Sequence, residues 1–426
     1  MLFIYRCLIN FLFPIIILTT FCRKFFEKED KKRFKEKLFA SSFKIKKDTK
    51  KNLIWIHAAS IGEIKSIIPI IDKLNKKNKY QFLITSVSLS SAKFFPKELK
   101  MNNNIIHRFF PVDKLDLVKK FLDSWSPNLI IFVDSEIWPN FLFEINERKI
   151  PLTLINARIT KKTFKRWIII PNFAKKVFNT FDLCLAASKE SKKYLEKLNT
   201  RNVKYIGNIK LSGKIPVKKT YGKNENFLKN TKFWCAASTH KGEEFICIKT
   251  HKSLIKKYKN LKTIIIPRHI NRCDEIKKTC IKNNINAQIL NSNDPIDLKN
   301  EVIIINAFGQ LPKYFSLSKS IFMGKSLLKN LEPVGGQNPI EAALLGCKIY
   351  HGPYVYNFKE MYDLLKIYKI SEEIKNEKEL SKKLLADLKG NNNKKKKIIK
   401  KIEKLGDKIL VLSLKEIVKI QKNENI

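Results

Sequence analysis

Acidic residues are scarce in this chain. Its 426 residues include 39 Asp and Glu against 85 Lys and Arg, a formal charge of +46, and no Asp-rich run of the kind that gathers a divalent cation is present. Glycine is rarer still, with 13 in all. None falls in GxGxxG or P-loop spacing, so neither a dinucleotide nor ATP finds its usual phosphate loop. The eight cysteines (7, 22, 184, 235, 247, 273, 280 and 347) form no CxxC pair and no Cys/His cluster. That excludes a structural zinc and points to a reducing compartment. Cys273 and Cys280 are read with the rest as small buried hydrophobes. The Lys runs are not interleaved with aromatics, and no zinc-finger or RNA-recognition signature occurs, so nucleic acid is not an expected partner. No internal repeat of 20–50 residues is visible.

What the chain does have is apolar mass. Hydrophobic residues make up 44% and aromatics 11%, too much for a disordered polycation. At roughly 100–200 residues per domain, two or three domains are expected. The excess Lys has two readings: solvated helix faces, or attraction to an anionic surface.

Among anionic surfaces, the first segment favours a membrane over nucleic acid. Leu2 to Cys22 is apolar for about one bilayer thickness and is followed at once by Arg23, Lys24, Lys28, Lys31, Lys32, Arg33, Lys35 and Lys37. It lacks a small-residue cleavage site, so it reads as a retained anchor over residues 1–24. The basic flank follows the apolar stretch, which places the remaining body in the cytoplasm. Whether the segment spans the bilayer or lies in one leaflet stays open.

Beyond it, short β-branched runs alternate with amphipathic stretches: Leu53–His57, Gln81–Thr85, Leu129–Val133, Leu152–Asn156, Leu183–Ala186, Val203–Ile206, Phe233–Ala236, Thr263–Pro267, Val302–Ile305, Ser320–Met323 and Lys348–Tyr350. Such alternation predicts α/β domains with parallel sheets covered on both faces. A Gly- and Pro-bearing polar stretch divides them. The expected division is a first doubly wound domain over 25–206, a linker over 207–223, a second over 224–380 and a basic helical segment over 381–426. Ligands are expected at the carboxyl ends of the strands.

Several strand ends carry polar motifs. Ile56-His57-Ala58-Ala59-Ser60-Ile61-Gly62-Glu63 leads into a helix, and Glu63 in its first turn is either a favourable end charge or a carboxylate poised to take a proton from a hydroxyl. Asp134-Ser135-Glu136-Ile137-Trp138-Pro139-Asn140 follows another run, and Glu136 again is a cap or a site residue. Gly207-Asn208-Ile209-Lys210 offers a Lys that would face the cleft from the hinge, although any one Lys of so many lies on the surface by default. Ser238-Thr239-His240-Lys241-Gly242-Glu243-Glu244 at a helix start, with Pro267-Arg268-His269 at the next strand end, suits a single phosphate. His240 is given no catalytic role. In Gly335-Gly336-Gln337-Asn338-Pro339-Ile340-Glu341 the spacing predicts a helix capped by Asn338 and closed by Gly346. Capping alone explains Glu341, although it could also accept hydrogen bonds from ribose hydroxyls.

WIHAASIGE, SEIWPN, INAR, GNIKL, AASTHKGEE, PRH and GGQNPIEAALLG, in this order and spacing, resemble the 3-deoxy-D-manno-octulosonic acid (Kdo) transferases of lipid A assembly. The resemblance runs from the anchor to about residue 360. It implies an α/β GT-B glycosyltransferase fold: two doubly wound Rossmann-like domains with a cleft between them, behind an N-terminal hydrophobic membrane anchor. It further implies inverting, metal-independent transfer of Kdo from CMP-Kdo to a tetraacyl lipid A precursor, lipid IVA. The place would be the cytoplasmic face of the inner membrane, with its anionic surface as a partner and no cofactor.

By the same resemblance Glu63 is the general base, and Glu136 and Lys210 stabilise the transition state. Pro267 and Arg268, then Phe308, Gly309 and Gln310, then Asn338, Pro339, Ile340 and Glu341 would hold the CMP moiety. The chain departs from the family pattern at Gln310 and Asp134, where Glu is usual, and at Lys325, where a small residue is. Two other readings are a GT-B transferase with a different nucleotide sugar or lipid acceptor, and a non-catalytic, basic membrane-surface or nucleic-acid-binding protein.

Overall fold

The computed structural model describes residues 1–43, 47–76, 78–95, 99, 104–215, 222–390 and 393–422. The chain divides into two compact units, Met1–Gly213 with Leu405–Ile426, and Lys214–Lys404. The 3-10 turn Ile209–Ser212, inside the expected linker, belongs to the first unit, and residues 216–221 of that linker lie outside the described residues. The expected boundary at 381 falls inside the helix Glu377–Lys389. The last helix, Asn393–Lys422, starts in the second unit and ends in the first. In the first unit its Gly406 meets the Leu211 backbone so closely that an added Cβ would lie 2.3 Å from the carbonyl oxygen.

Each unit is built on a parallel seven-stranded sheet. In the first, β1 (Asn52–His57), β2 (Tyr80–Ser86), β3 (Ile105–Phe109), β4 (Leu129–Val133), β5 (Leu152–Ala157), β6 (Leu183–Ala186) and β7 (Val203–Tyr205) stand in the order 3-2-1-4-5-6-7. The second holds β8 (Phe233–Thr239), β9 (Lys262–Pro267), β10 (Ala287–Leu290), β11 (Val302–Ile305), β12 (Ser320–Met323), β13 (Lys348–His351) and β14 (Ser371–Glu373), in the order 10-11-9-8-12-13-14. Every residue of β4, β5, β8 and β9 is buried, because helices cover both faces of each sheet. The strand order reverses between β1 and β4 in one sheet and between β8 and β12 in the other. Open α/β sheets bind ligands at such reversals, outside the carboxyl ends of the strands.

All eleven expected runs are strands. The three unexpected ones, β3, β10 and β14, are outer strands with sequences IIHRF, AQIL and SEE. An outer strand pairs on one side only and has no need of a continuous apolar run, so the pattern that marks the inner strands is missing there.

Helix Leu2–Phe25 has the length and composition to cross a membrane. Its inner face lies on the first unit: the Tyr5 hydroxyl donates to Asp113 at 2.7 Å, and Arg6 Nε donates to Asn140 Oδ1 at 3.0 Å. Its outer face exposes Phe3, Ile4, Leu8, Phe11, Ile15 and Leu18, an i, i+3/i+4 apolar stripe of more than four turns.

Candidate active site

In the first unit the strand-order reversal is where the first two motifs meet. Helix Ile61–Asn75 forms because Ser60 caps it and Ile64, Ile67, Ile70 and Ile71 line its buried face. Glu63 is 8% exposed. Its carboxylate accepts the Ala59 N–H at 2.8 Å and the Ser60 hydroxyl at 2.6 Å, so the capping role is real. Those two bonds leave about half of its lone-pair positions open. Burial raises its pKa, the nearby negative charges of Asp134 and Glu136 raise it further, and the Ser60 and Ala59 bonds only partly oppose them.

Glu136 enters from the end of β4. Its Oε2 lies 3.1 Å from His57 Nε2 and accepts the Trp138 indole N–H at 2.8 Å. Although burial works against it, the His57 contact, with help from Trp138, holds this carboxyl below its ordinary value. His57, the last residue of β1, is fully buried, stacked on Phe110 with ring centroids 3.8 Å apart, with Nδ1 3.0 Å from the Thr85 hydroxyl. Sequence reading gave His57 no role. Only its position beside the polar strand end could have marked it.

Lys210 donates to Asp134 Oδ2 at 2.6 Å, and Asp134 also accepts from the Asn156 amide. The Asn156 carbonyl in turn takes the Ile209 N–H at 3.1 Å. Asp134 and Asn156 both adopt left-handed backbone, φ +65° and +53°, which these two residue types tolerate better than most. Hydrogen bonds thus join the DSEIWPN, INAR and GNIKL stretches around Asp134. The result is three neighbouring carboxylates, Glu63, Asp134 and Glu136, with Lys210 paired to one of them. Glu63 is shifted toward holding a proton and Glu136 away from it.

In the second unit two of the three expected donor stretches stand at the ends of adjacent strands, next to β8. Phe308, Gly309 and Gln310 follow β11, Pro267 ends β9 with Arg268 after it, and His240 follows β8. Phe308 is 72% exposed, and Gly309, at φ +75°, has open space where a Cβ would be. The Arg268 N–H donates to Thr239 O at 3.1 Å, while its guanidinium makes no hydrogen bond or ion pair among the described residues. The His240 and His269 rings meet edge to face at 5.8 Å. The predicted helix after Asn338 is only Ile340–Leu344, with Asn338 Oδ1 accepting the Ile340 N–H at 3.1 Å. Pro339 occupies the cap position, one residue later than expected.

One expectation changes. The start of helix Glu243–Ile255 is expected to offer hydroxyls and free N–H groups to a single phosphate, but the chain's own carboxylates make contacts there. Glu243, fully buried, accepts N–H groups from His240 (3.0 Å), Lys325 (2.7 Å), Ser326 (2.9 Å) and Leu327 (3.1 Å). Glu244 is paired bidentately with Arg272 at 2.8 and 3.1 Å. The helix-end charge is therefore largely answered from within, leaving strand-end cations to meet an anionic ligand. Sequence reading missed Glu243 as an organiser, since nothing in the spacing tells a first-turn cap from a carboxylate that reaches the next strand's loop. Among the described residues no group of three or more His, Cys, Asp or Glu is placed to hold a metal ion.

Comparison with known proteins identifies relatives of the chain. A family model described as 3-deoxy-D-manno-octulosonic-acid transferase (kdotransferase) matches residues 32–212. The 3-deoxy-D-manno-octulosonic acid transferase of Rickettsia bellii is 33% identical over 358 residues, 83% of this chain and 82% of that protein. The Haemophilus influenzae protein of the same name is 29% identical over 322 residues, 73% of each chain. In fold, a glycosyltransferase from Rickettsia africae superposes with a TM-score of 0.57 at 15% identity, over 88% of this chain and 99% of that one.

Proposed function

The chain belongs to the 3-deoxy-D-manno-octulosonic acid transferase family and is a glycosyltransferase, and from that membership we propose that it moves Kdo from CMP-Kdo to a tetraacyl lipid A precursor, with inversion, at the cytoplasmic face of the inner membrane. The observation that carries the reading is Glu63: a buried carboxylate at the sheet's strand-order reversal, biased toward protonation by burial and two neighbouring carboxylates. Glu63 takes the proton of the acceptor hydroxyl as its oxygen bonds to the Kdo anomeric carbon. The bond from that carbon to the phosphate oxygen breaks, and CMP leaves with the electron pair. Glu136, held by His57 and Trp138, and Lys210, held by Asp134, present fixed charges to the developing transition state.

The donor residues lie in the second unit. Arg268, unpaired among the described residues, meets the phosphate, the exposed Phe308 ring offers a face to the cytosine, and Asn338, Ile340 and Glu341 bound the nucleotide beside Gly309, Gln310 and Pro267. Arg268→Ala is expected to weaken CMP affinity about ten- to a hundredfold, as loss of a charge-assisted bond does. CMP titration of the purified variant checks this, and unchanged affinity removes Arg268 from the donor site.

The outer stripe of helix Leu2–Phe25 supplies attachment to the membrane. Replacing Phe3 and Phe11, each 77% exposed, by Ser removes roughly 2 kcal/mol of apolar burial apiece and leaves the Tyr5 and Arg6 contacts in place. Partition into anionic vesicles should fall at least tenfold with the melting temperature unchanged. Undiminished partition would place the attachment elsewhere.

The whole reading is tested by supplying CMP-Kdo generated in place and tetraacyl lipid A precursor to the detergent-solubilised full chain and resolving the products by mass. Mass increments of Kdo are expected. A folded protein that binds CMP yet yields no product has a different acceptor, and one that binds UDP but not CMP uses a different donor.

A further inference from the structure

Lys325 stands at the strand-order reversal of the second sheet, one residue beyond Gly324, which leads off β12. It is fixed there from both sides: its N–H donates to Glu243 at 2.7 Å and its carbonyl accepts the Gly336 N–H at 2.7 Å. Its backbone is left-handed, φ +59°, a conformation in which a long unbranched side chain is uncommon. Gly324 makes this path possible, since a Cβ there would lie 2.7 Å from both Ser238 O and Thr239 Cα. Lys325 is therefore held hard against the end of β8. Its ammonium is close enough to the His240 ring for its charge to oppose protonation of that ring, although burial is the larger cause. Among the described residues the ammonium itself has neither a hydrogen-bond partner nor an ion pair.

A second unanswered cation flanks β8 on its other side. Arg268 hangs from the end of β9, its N–H bonded to Thr239 O, while Gly324 N–H bonds to Ala237 O at 2.8 Å. The two side chains thus start from strand ends on either side of one strand, about 10 Å apart at ordinary strand spacing. Both can reach an anion lying over the end of β8. One phosphate needs only one of them. In a CMP-linked ulosonic acid, however, the phosphate ester and a carboxylate are attached to the same anomeric carbon, so two anionic groups arrive together.

We propose that Lys325 is a specificity-determining residue that binds the sugar carboxylate of an ulosonic acid donor, with Arg268 on the phosphate. The proposal rests on the CMP-Kdo reading above. It separates this donor from nucleotide hexoses, which lack the carboxylate and would leave the Lys325 ammonium unmatched as it loses water.

The test compares two probes on the full chain: CMP, and a hydrolysis-resistant CMP-Kdo analogue that keeps the carboxylate. The variant is Lys325→Asn, because Asn tolerates left-handed backbone and keeps the two backbone bonds. The expected result is a ten- to hundredfold loss of affinity for the analogue, CMP affinity within twofold of the parent, and recovery of most of the loss in Lys325→Arg. Equal losses for both probes would make Lys325 a phosphate or structural contact and overturn the proposal, as would no loss for either. Failure of the parent protein to bind either probe would instead overturn the donor assignment. That outcome is read before any variant is made.

Discussion

Glu63→Gln is expected to lower the rate of transfer by about a hundred- to ten-thousandfold while leaving CMP affinity unchanged, because the substitution removes a proton acceptor and little else. The amide that replaces the carboxylate keeps one carbonyl oxygen that can take the Ala59 N–H or the Ser60 hydroxyl, so the helix start loses at most one of two bonds. The nucleotide residues lie in the other unit. The same carboxylate sets the acid limb of the rate profile. Its pKa is raised, chiefly by burial and then by Asp134 and Glu136, and a general base works only when deprotonated. As pH falls through that raised value Glu63 takes up a proton and turnover is lost, so the limb stands above the ordinary glutamate range. The Asp134→Asn variant, which removes one of the two neighbouring negative charges, should move the limb to lower pH. Near-normal turnover by Glu63→Gln, or a limb that ignores Asp134, would remove Glu63 as the base.

How far the sequence led depends on what each residue must satisfy. Strands such as β4 and β8 are buried on both faces and must be apolar throughout, which is why they stand out in one dimension. The outer strand β14, with Glu372 and Glu373, faces no such demand and leaves no run to find. Glu63 and Glu136 were legible as polar residues at strand ends, but their relation was not. That depends on β1 lying beside β4, which brings residues 63 and 136 within electrostatic reach across more than seventy positions of chain. His57 was hidden for the opposite reason. It completes an apolar strand and looks like core until its ring nitrogens are found between Thr85 and Glu136. Lys210 looked like one surface Lys among many, and only its bond to Asp134 sets it apart.

Glu243→Ala is expected to cost the second unit about 2–4 kcal/mol and to lower affinity for CMP as well, a pairing that a simple surface defect would not produce. Four backbone N–H groups converge on this carboxylate, two on each oxygen: Ser326 and Leu327 on Oε1, His240 and Lys325 on Oε2. An orphaned buried N–H costs about 1–3 kcal/mol, so losing all four could exceed the stated figure. The opposing effect is the burial of the carboxylate itself, strong enough to raise its pKa even with four donors aimed at it. Removing the charge gives that penalty back, which keeps the net loss to a few kcal/mol. Glu243→Gln should fall between the parent and Ala, because its NH2 must face two N–H donors whichever way the amide turns. The consequence for CMP follows from His240: it lies next to Thr239, whose carbonyl holds the Arg268 N–H, so slackening Glu243 loosens the end of β8 against which Arg268 is set, while the loss of the Lys325 bond acts on the sugar carboxylate and not on CMP. Thermal melts and CMP titrations on the two variants check the ordering parent, Gln, Ala in both measurements. If stability falls while CMP affinity holds, the end of β8 is not part of the nucleotide site.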